Sequence, residues 1–413
     1  MARIEPFKGL RPPKDIVDKV ASPPYDVLNS AEAKKLTQNN PFSFLRITKP
    51  EVDLPDDVDI YSDEVYNKAK ENFLKFIENK TLVQDKKKCF YLYEQIWGDH
   101  VQVGLVAGAS CRDYQDDIIK KHEFTREDKE QDRMRHIETL NANTGPVFLT
   151  FRHRDSIDAL FEKGKEGEPE YDFTTVNGVR HILYVVDDRS LIADIKAEFA
   201  KIDYLYVADG HHRSASATNV KIKRREANPE HTGNEEYNFF LSVIFPDNQM
   251  KILPYNRVVR DLNGMCKAEF FGKVAENFEY DDVDLKVPRT SGEFCLYIEG
   301  KWYKLTPKEG IYNKDDAVES LDVSILQNNL LDPVLGIKNP RTEKRIDFVG
   351  GIRGTDELER LVDSGKFKVA FSFYPTTIEQ LFNVADSGRV MPPKSTWFEP
   401  KLASGLVVHL LEG

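Results

Sequence analysis

One short segment constrains the fold more than any other: Tyr204-Leu-Tyr-Val-Ala-Asp209-Gly210-His211-His212-Arg213-Ser214. An apolar run that ends in Asp-Gly and continues into helix-compatible residues reads as a strand turning at once into a helix. Gly210 suits the tight turn or a close approach of backbone. A buried strand that feeds a helix needs sheet neighbours and a packed helical layer, so the chain is expected to be mixed α/β. The start of such a helix carries unpaired backbone N–H groups and the positive end of the dipole, which together make an anion site. His211, His212 and Arg213 add donors suited to phosphate oxygens. Gly210, His211, His212, Arg213 and Ser214 are therefore expected to bind phosphate. Asp209, at the strand end, is placed to hold Mg2+ or to orient a histidine. The segment is neither a Walker loop nor a G-x-G-x-x-G fingerprint.

A second constellation is Lys121-His122-Glu123-Phe-Thr125-Arg126-Glu-Asp128-Lys129-Glu130-Gln-Asp132-Arg133. Thr125 and Asp128 have capping-box spacing, which predicts a helix from about Arg126. Arg126, Lys129, Glu130, Arg133 and Ile137 then share one face. Lys129 and Arg133 are like charges at i,i+4, an arrangement favourable only with an anion or acid between them, so both are expected at the phosphate. Glu123 precedes the helix as a general base for an alcohol would. The turn Asn141-Ala-Asn143-Thr144-Gly145-Pro146 is rich in hydrogen-bonding groups, and Asn143 and Thr144 are expected to line a small polar ligand. Asp26 lies in the Pro-stiffened Pro23-Pro24-Tyr25-Asp26-Val27 and is grouped with them. Arg257 and the cluster Lys394-Ser395-Thr396 complete the expected substrate-binding set, the cluster as a rigid anion loop closing over the first domain's site. The competing reading of that last segment is a buried anchor with Trp397 in the core.

At roughly 100–200 residues per domain, 413 residues predict two domains, placed at 1–264 and 265–413. Strands are expected at 89–96, 101–109, 147–151, 181–186, 204–208, 237–244 and 251–258. A hairpin is expected across Gly300, and helices at 61–79, 126–142, after Gly210, 268–278, 319–331 and 355–366. Fifty-eight basic against 69 acidic residues leave a net charge of −11, which argues against generic affinity for nucleic acid or an anionic membrane. No apolar run approaches the ~18 residues of a membrane span. The four cysteines form no C-x-x-C pair, and a reduced, cytoplasmic setting is expected. His122, His136, His211 and His212 also allow a metal-dependent hydrolase, although no H-E-x-x-H spacing is present.

Asp209-Gly-His-His-Arg213 behind an apolar strand resembles the signature of free-serine kinases of the ParB/sulfiredoxin-like superfamily. From end to end the chain resembles the family catalogued as domain of unknown function 1015, on Pro23–Val27, Lys121-His122-Glu123, Ala208–Arg213, 345–351 and 393–400. The resemblance implies an α/β (mixed α+β) fold, a ParB/sulfiredoxin-like core with insertions plus a C-terminal α+β domain. It implies Glu123 as the base for a serine hydroxyl, Asp209 and His212 in phosphoryl transfer with Asp209 contacting Mg2+, and 211–214 as the phosphate-binding helix start. The partners implied are L-serine and a phosphate donor, ATP, ADP or pyrophosphate, in a monomer or homodimer. A non-catalytic ParB-like nucleotide switch is the alternative within the same superfamily. From Glu123 to Asp209 the chain runs 209 − 123 = 86 residues, so an inserted segment at about 145–200 is expected.

Overall fold

The computed structural model of this protein describes residues 1–412. The chain divides into two compact units, residues 1–250 with 400–413 and residues 251–399. The division does not fall after Gly264, where the sequence pattern restarts. Tyr255–Val259 is a central strand of the second unit's sheet, pairing Ile346–Gly350 and Val369–Phe373, and this draws the boundary forward. The segment after Glu399 pairs with the first unit: Ser404 exchanges backbone hydrogen bonds with Ser22, and His409–Leu410 pairs with Ala142–Asn143.

The first unit is built on a mixed sheet. Its order is Ile119–Lys120, Leu205–Asp209, Val147–Phe151, Phe239–Pro246, His100–Ser110, Phe90–Trp97, Arg180–Val186 and Tyr171–Thr174, with Ile4–Glu5 also on His100–Ser110. Phe239–Pro246 is buried at every position and Val147–Phe151 likewise, the continuous apolar pattern of strands covered on both faces. The tight turn at Gly98 joins Phe90–Trp97 to His100–Ser110. The segment between Pro146 and Lys201 is structured: helices Asp155–Gly164 and Arg189–Phe199 pack on one another and flank a hairpin that forms the far sheet edge.

Three pairings decide what meets at one end of this sheet. Leu205–Asp209 runs parallel to Ile119–Lys120, with Leu205 opposite Ile119. Both strands therefore finish at the same end, and Lys121-His122-Glu123 emerges beside Asp209-Gly210. Val147–Phe151 is antiparallel to Leu205–Asp209, so its entry turn at 143–146 lies at that end as well. Register shifts between Val207 and Asp209, a bulge of the kind that re-aims a side chain next to a functional site.

Helix His211–Ala227 follows directly, and helix Glu127–Leu140 packs against it. The latter starts without a side-chain cap: Thr125 does not form the expected box with Asp128, because its hydroxyl hydrogen-bonds the Glu130 carboxylate. No helix among the described residues is long and apolar enough to cross a membrane.

The second unit is an antiparallel six-stranded sheet in the order Phe278–Asp282, Lys301–Pro307, Phe294–Ile298, Val369–Phe373, Tyr255–Val259, Ile346–Gly350. The hairpin expected across Gly300 is present. The expected strand at 251–258 is broken by Pro254 into Lys251–Leu253 and Tyr255–Val259, since proline cannot donate to a ladder. Lys251–Leu253 pairs with Trp397–Glu399. The Trp397 ring packs edge-on against Tyr255 at 5.1 Å within this unit.

Candidate active site at the Asp209–Gly210 turn

Gly210 adopts φ 103°, the left-handed region, and a Cβ there would lie 3.0 Å from Arg213 Nε. Backbone conformation and the folded-back guanidinium both require glycine. No side chain caps the helix that begins at His211, so its first amides face the turn with the positive end of a 17-residue helix behind them. Arg213 curls over this end. Its Nη2 lies 3.5 Å from Asp26 Oδ2 and 3.6 Å from Asp209 Oδ1, its Nη1 donates to the Pro146 carbonyl, and its buried Nε has no protein partner. Burial works against the guanidinium's charge, but Asp26 and Asp209 hold it protonated.

Asp209 has a second cation. Lys401 Nζ is 3.2 Å from its Oδ2. Burial would raise the Asp209 pKa, yet the ammonium of Lys401 and the guanidinium of Arg213 outweigh it and keep the carboxyl well below the usual range. Each carboxylate oxygen thus faces a resident cation. Among the described residues, the only three His, Cys, Asp or Glu ligand atoms close enough to share an ion belong to His153, Asp155 and Asp158, none of which is in this site. At Asp209, the residue expected to contact Mg2+, the two carboxylate oxygens face Arg213 and Lys401.

His122 and His211 form a buried edge-to-face pair, ring centroids 4.5 Å apart. The His122 amide donates to His211 Nε2 at 3.5 Å, which leaves the His211 proton on Nδ1, 3.8 Å from Glu123 Oε2. Burial pushes His122 down to about 4, and burial together with His122 pushes His211 well down, so both rings are neutral at neutral pH. His122 Nδ1 is buried without a partner. His212 Nε2 accepts from the Arg126 amide at 3.1 Å, and burial lowers its pKa too. Glu123 keeps 40% of its side chain exposed, so an incoming substrate can reach it.

Arg133 stacks over the Tyr25 ring at 4.2 Å and pairs with Asp132. Burial raises Tyr25 to about 12. Tyr25, Arg133, His136, Asn143, Thr144 and Arg213 line one small cavity of about 30 Å³. The structure thus brings Glu123, Asp26, Asp209, Gly210, His211, His212 and Arg213 around one turn, with Arg133, Asn143 and Thr144 beside it. Asn143 is partly committed elsewhere, its Oδ1 accepting from the Leu241 amide at 3.2 Å.

Several expected residues are used otherwise. Ser214 is fully buried, and its hydroxyl donates back to the carbonyls of Gly210 and His211, so it does not reach a phosphate. Lys129 Nζ donates to Tyr61 Oη at 2.7 Å. Arg257, Lys394, Ser395 and Thr396 all lie in the second unit. There the Arg257 guanidinium is buried between the rings of Phe348 and Phe373 and donates to the carbonyls of Tyr255 and Lys394, which leaves it structural. Ser395 Oγ donates to the Pro392 carbonyl. The four histidines expected of a hydrolase bring no ligand group together among the described residues, and His136 Nε2 instead meets the Ile47 carbonyl at 3.0 Å. Lys401 and Tyr25 were not singled out from sequence. Tyr25 lies within the Pro23–Val27 segment and Lys401 follows 393–400, and their contacts span 192 and 108 residues of chain, 401 − 209 for Lys401 and 133 − 25 for Tyr25.

Solved structures give distant similarities. A free serine kinase in complex with AMP is 16% identical with a TM-score of 0.34, covering 70% of this chain and 89% of that chain. A free serine kinase mutant in complex with ADP has 16% identity and a TM-score of 0.34, covering 70% and 90%. SbnI with C-terminal truncation from Staphylococcus aureus has 11% identity and a TM-score of 0.37, covering 71% and 85%. No curated protein matches the sequence. The family model described as "Protein of unknown function (DUF1015)" matches residues 4–324, most of the chain and all of the turn just described apart from Lys401, and the protein belongs to that family.

Proposed function

We propose that this protein is a phosphotransferase with an alcohol acceptor, and that the acceptor is free L-serine, converted to O-phospho-L-serine. The observation that carries this reading is the uncapped helix start at Gly210, overlaid by the buried Arg213, with the Glu123 carboxylate 3.8 Å from His211 in the same turn. Anion-binding amides and a fixed guanidinium hold a phosphate chain. Glu123 accepts the serine Oγ proton as Oγ bonds to the terminal phosphorus. The bond from that phosphorus to the bridging oxygen breaks, and its electron pair leaves with the remaining phosphate. Neutral His211, with its proton on Nδ1 towards Glu123, keeps the carboxylate turned inward. Such a site works by positioning and by fixed charge facing the oxygens of the transferring group. The donor is ATP, ADP or pyrophosphate.

The test is an assay of the full chain with L-serine and each donor, with and without Mg2+, reading phosphoserine by mass spectrometry. Phosphoserine is expected with at least one donor. Glu123→Gln should lower the rate by roughly 100-fold or more with an unchanged melting temperature. Donor binding without product from any of the three would reject the transferase and leave a non-catalytic nucleotide switch.

A further inference from the structure

Lys401 lies beyond residue 324, where the family match ends, yet its ammonium is closer to the Asp209 carboxylate than the motif's own Arg213, at 3.2 against 3.6 Å. Its place is built from the sheet. The Lys401 carbonyl accepts from Gln95 Nε2 at 3.0 Å, and Gln95 Oε1 accepts from Gln102 Nε2 at 2.9 Å, both glutamines being fully buried. Two residues on, the Ala403 amide donates to the buried Tyr93 hydroxyl at 3.3 Å. The Lys401 side chain retains 18% exposure and that of Asp209 31%.

A buried ion pair is poor stabilisation, since desolvation offsets most of the attraction. Placing a lysine here by a dedicated network therefore points to use of its charge. A divalent ion such as Mg2+ needs carboxylate oxygens at about 2.0–2.1 Å, and at Asp209 Oδ2 that approach is taken by the ammonium. Lysine is a compact point charge, attracted to phosphate oxygens as it is to a carboxylate.

We propose that Lys401 is the fixed cation of the phosphate site: it fills the place at Asp209 that a divalent metal would take, and it binds the donor's phosphate together with Arg213. This inference rests on the phosphotransferase reading of the same turn. It implies that the protein alone, without divalent metal, binds an inorganic polyphosphate.

Two titrations of the full chain test it. In the first, free Mn2+ is followed by its paramagnetic resonance signal. The wild-type chain is expected to show no uptake that depends on Asp209. Lys401→Met should create one Mn2+ site, lost again in the Lys401→Met, Asp209→Asn double variant. In the second, pyrophosphate is titrated calorimetrically in the presence of a chelator. Wild type should bind, Lys401→Met should bind at least ~10-fold more weakly, and Lys401→Arg should recover most of the affinity. Mn2+ uptake by the wild type that Asp209→Asn abolishes would overturn the proposal, and this arm needs no Lys401 variant to fold. So would absence of pyrophosphate binding in chelator, or unchanged affinity in Lys401→Met. Failure of the transferase reading is separate: it shows as pyrophosphate binding without metal but no phosphoserine.

Discussion

At the scale of single residues, Gly210 is the position with least freedom. Alanine there meets both a left-handed backbone and the Arg213 guanidinium 3.0 Å away. The conformational part costs about 1–2 kcal/mol, and relief of the clash must move Arg213. Gly210→Ala is therefore expected to lower the melting temperature and, separately, to weaken pyrophosphate binding. An unchanged affinity would show that Arg213 does not hold the anion. The buried histidines set a pH dependence. His122, His136 and His181 are each pushed by burial from 6.5 down to about 4, and His211 and His212 shift the same way. The unfolded chain binds protons that the folded chain refuses between these values, so stability is complete above about 6.5 and falls as pH drops towards 4. His153, raised by its hydrogen bond to Asp158, opposes this, but it sits near the surface and contributes less. Denaturant midpoints measured from pH 8 to 4.5 should decline below about 6.5; a flat profile from 7 to 5 would contradict neutral buried imidazoles. Asp209-Gly-His-His-Arg213 was legible as a strand-to-helix turn with an uncapped helix start because its signals are local in sequence. Ser214 was misjudged because its hydroxyl had a nearer acceptor in its own helix.

At the scale of elements, the site depends on how helix Glu127–Leu140 is locked to helix His211–Ala227. Glu130 does this two ways: its carboxylate accepts at 3.0 Å from Asn219 Nδ2 and its carbonyl accepts at 3.0 Å from Ser216 Oγ, while the carboxylate also accepts from Thr125 at the entry to its own helix. Glu130→Ala removes the side-chain part and leaves two half-buried donors without that acceptor, a loss of about 1 kcal/mol. Because Thr125 is two residues from Glu123, the same change should reduce turnover more than pyrophosphate affinity. Steady-state rates set beside calorimetry would check that split, and equal losses in both would refute it. The strands were readable from apolar runs, and Val147–Phe151 is present as expected. The parallel pairing of Leu205–Asp209 with Ile119–Lys120 was not readable, since a two-residue strand carries no periodicity. That pairing is nonetheless what brings Glu123 to Asp209 across 86 residues.

At the scale of the molecule, the chain leaves the first unit at residue 250 and returns to it at 400. Sequence reading placed everything after residue 265 in one domain, since nothing local marks Pro400 as a re-entry. The returning segment buries Leu402, Leu406, Val407, Val408 and Leu411. At about 1.5–3 kcal/mol for each buried side chain, its loss removes on the order of 10 kcal/mol, comparable with the roughly 5–15 kcal/mol of a whole domain. A chain truncated after Glu399 is expected to fail to fold, as circular dichroism and solubility would report, whereas a soluble, cooperatively melting product would contradict the packing described. The same segment delivers Lys401, so the fold's closing stretch and the charge of its site are one piece of structure. The most direct measurement is a crystal structure of the full chain with pyrophosphate and L-serine. The expected result is phosphate oxygens within hydrogen-bond distance of the His211–Arg213 amides, Arg213 and Lys401, with the serine hydroxyl facing Glu123. Pyrophosphate bound elsewhere, or the imidazoles of His122 and His211 gripping a transition metal, would contradict it.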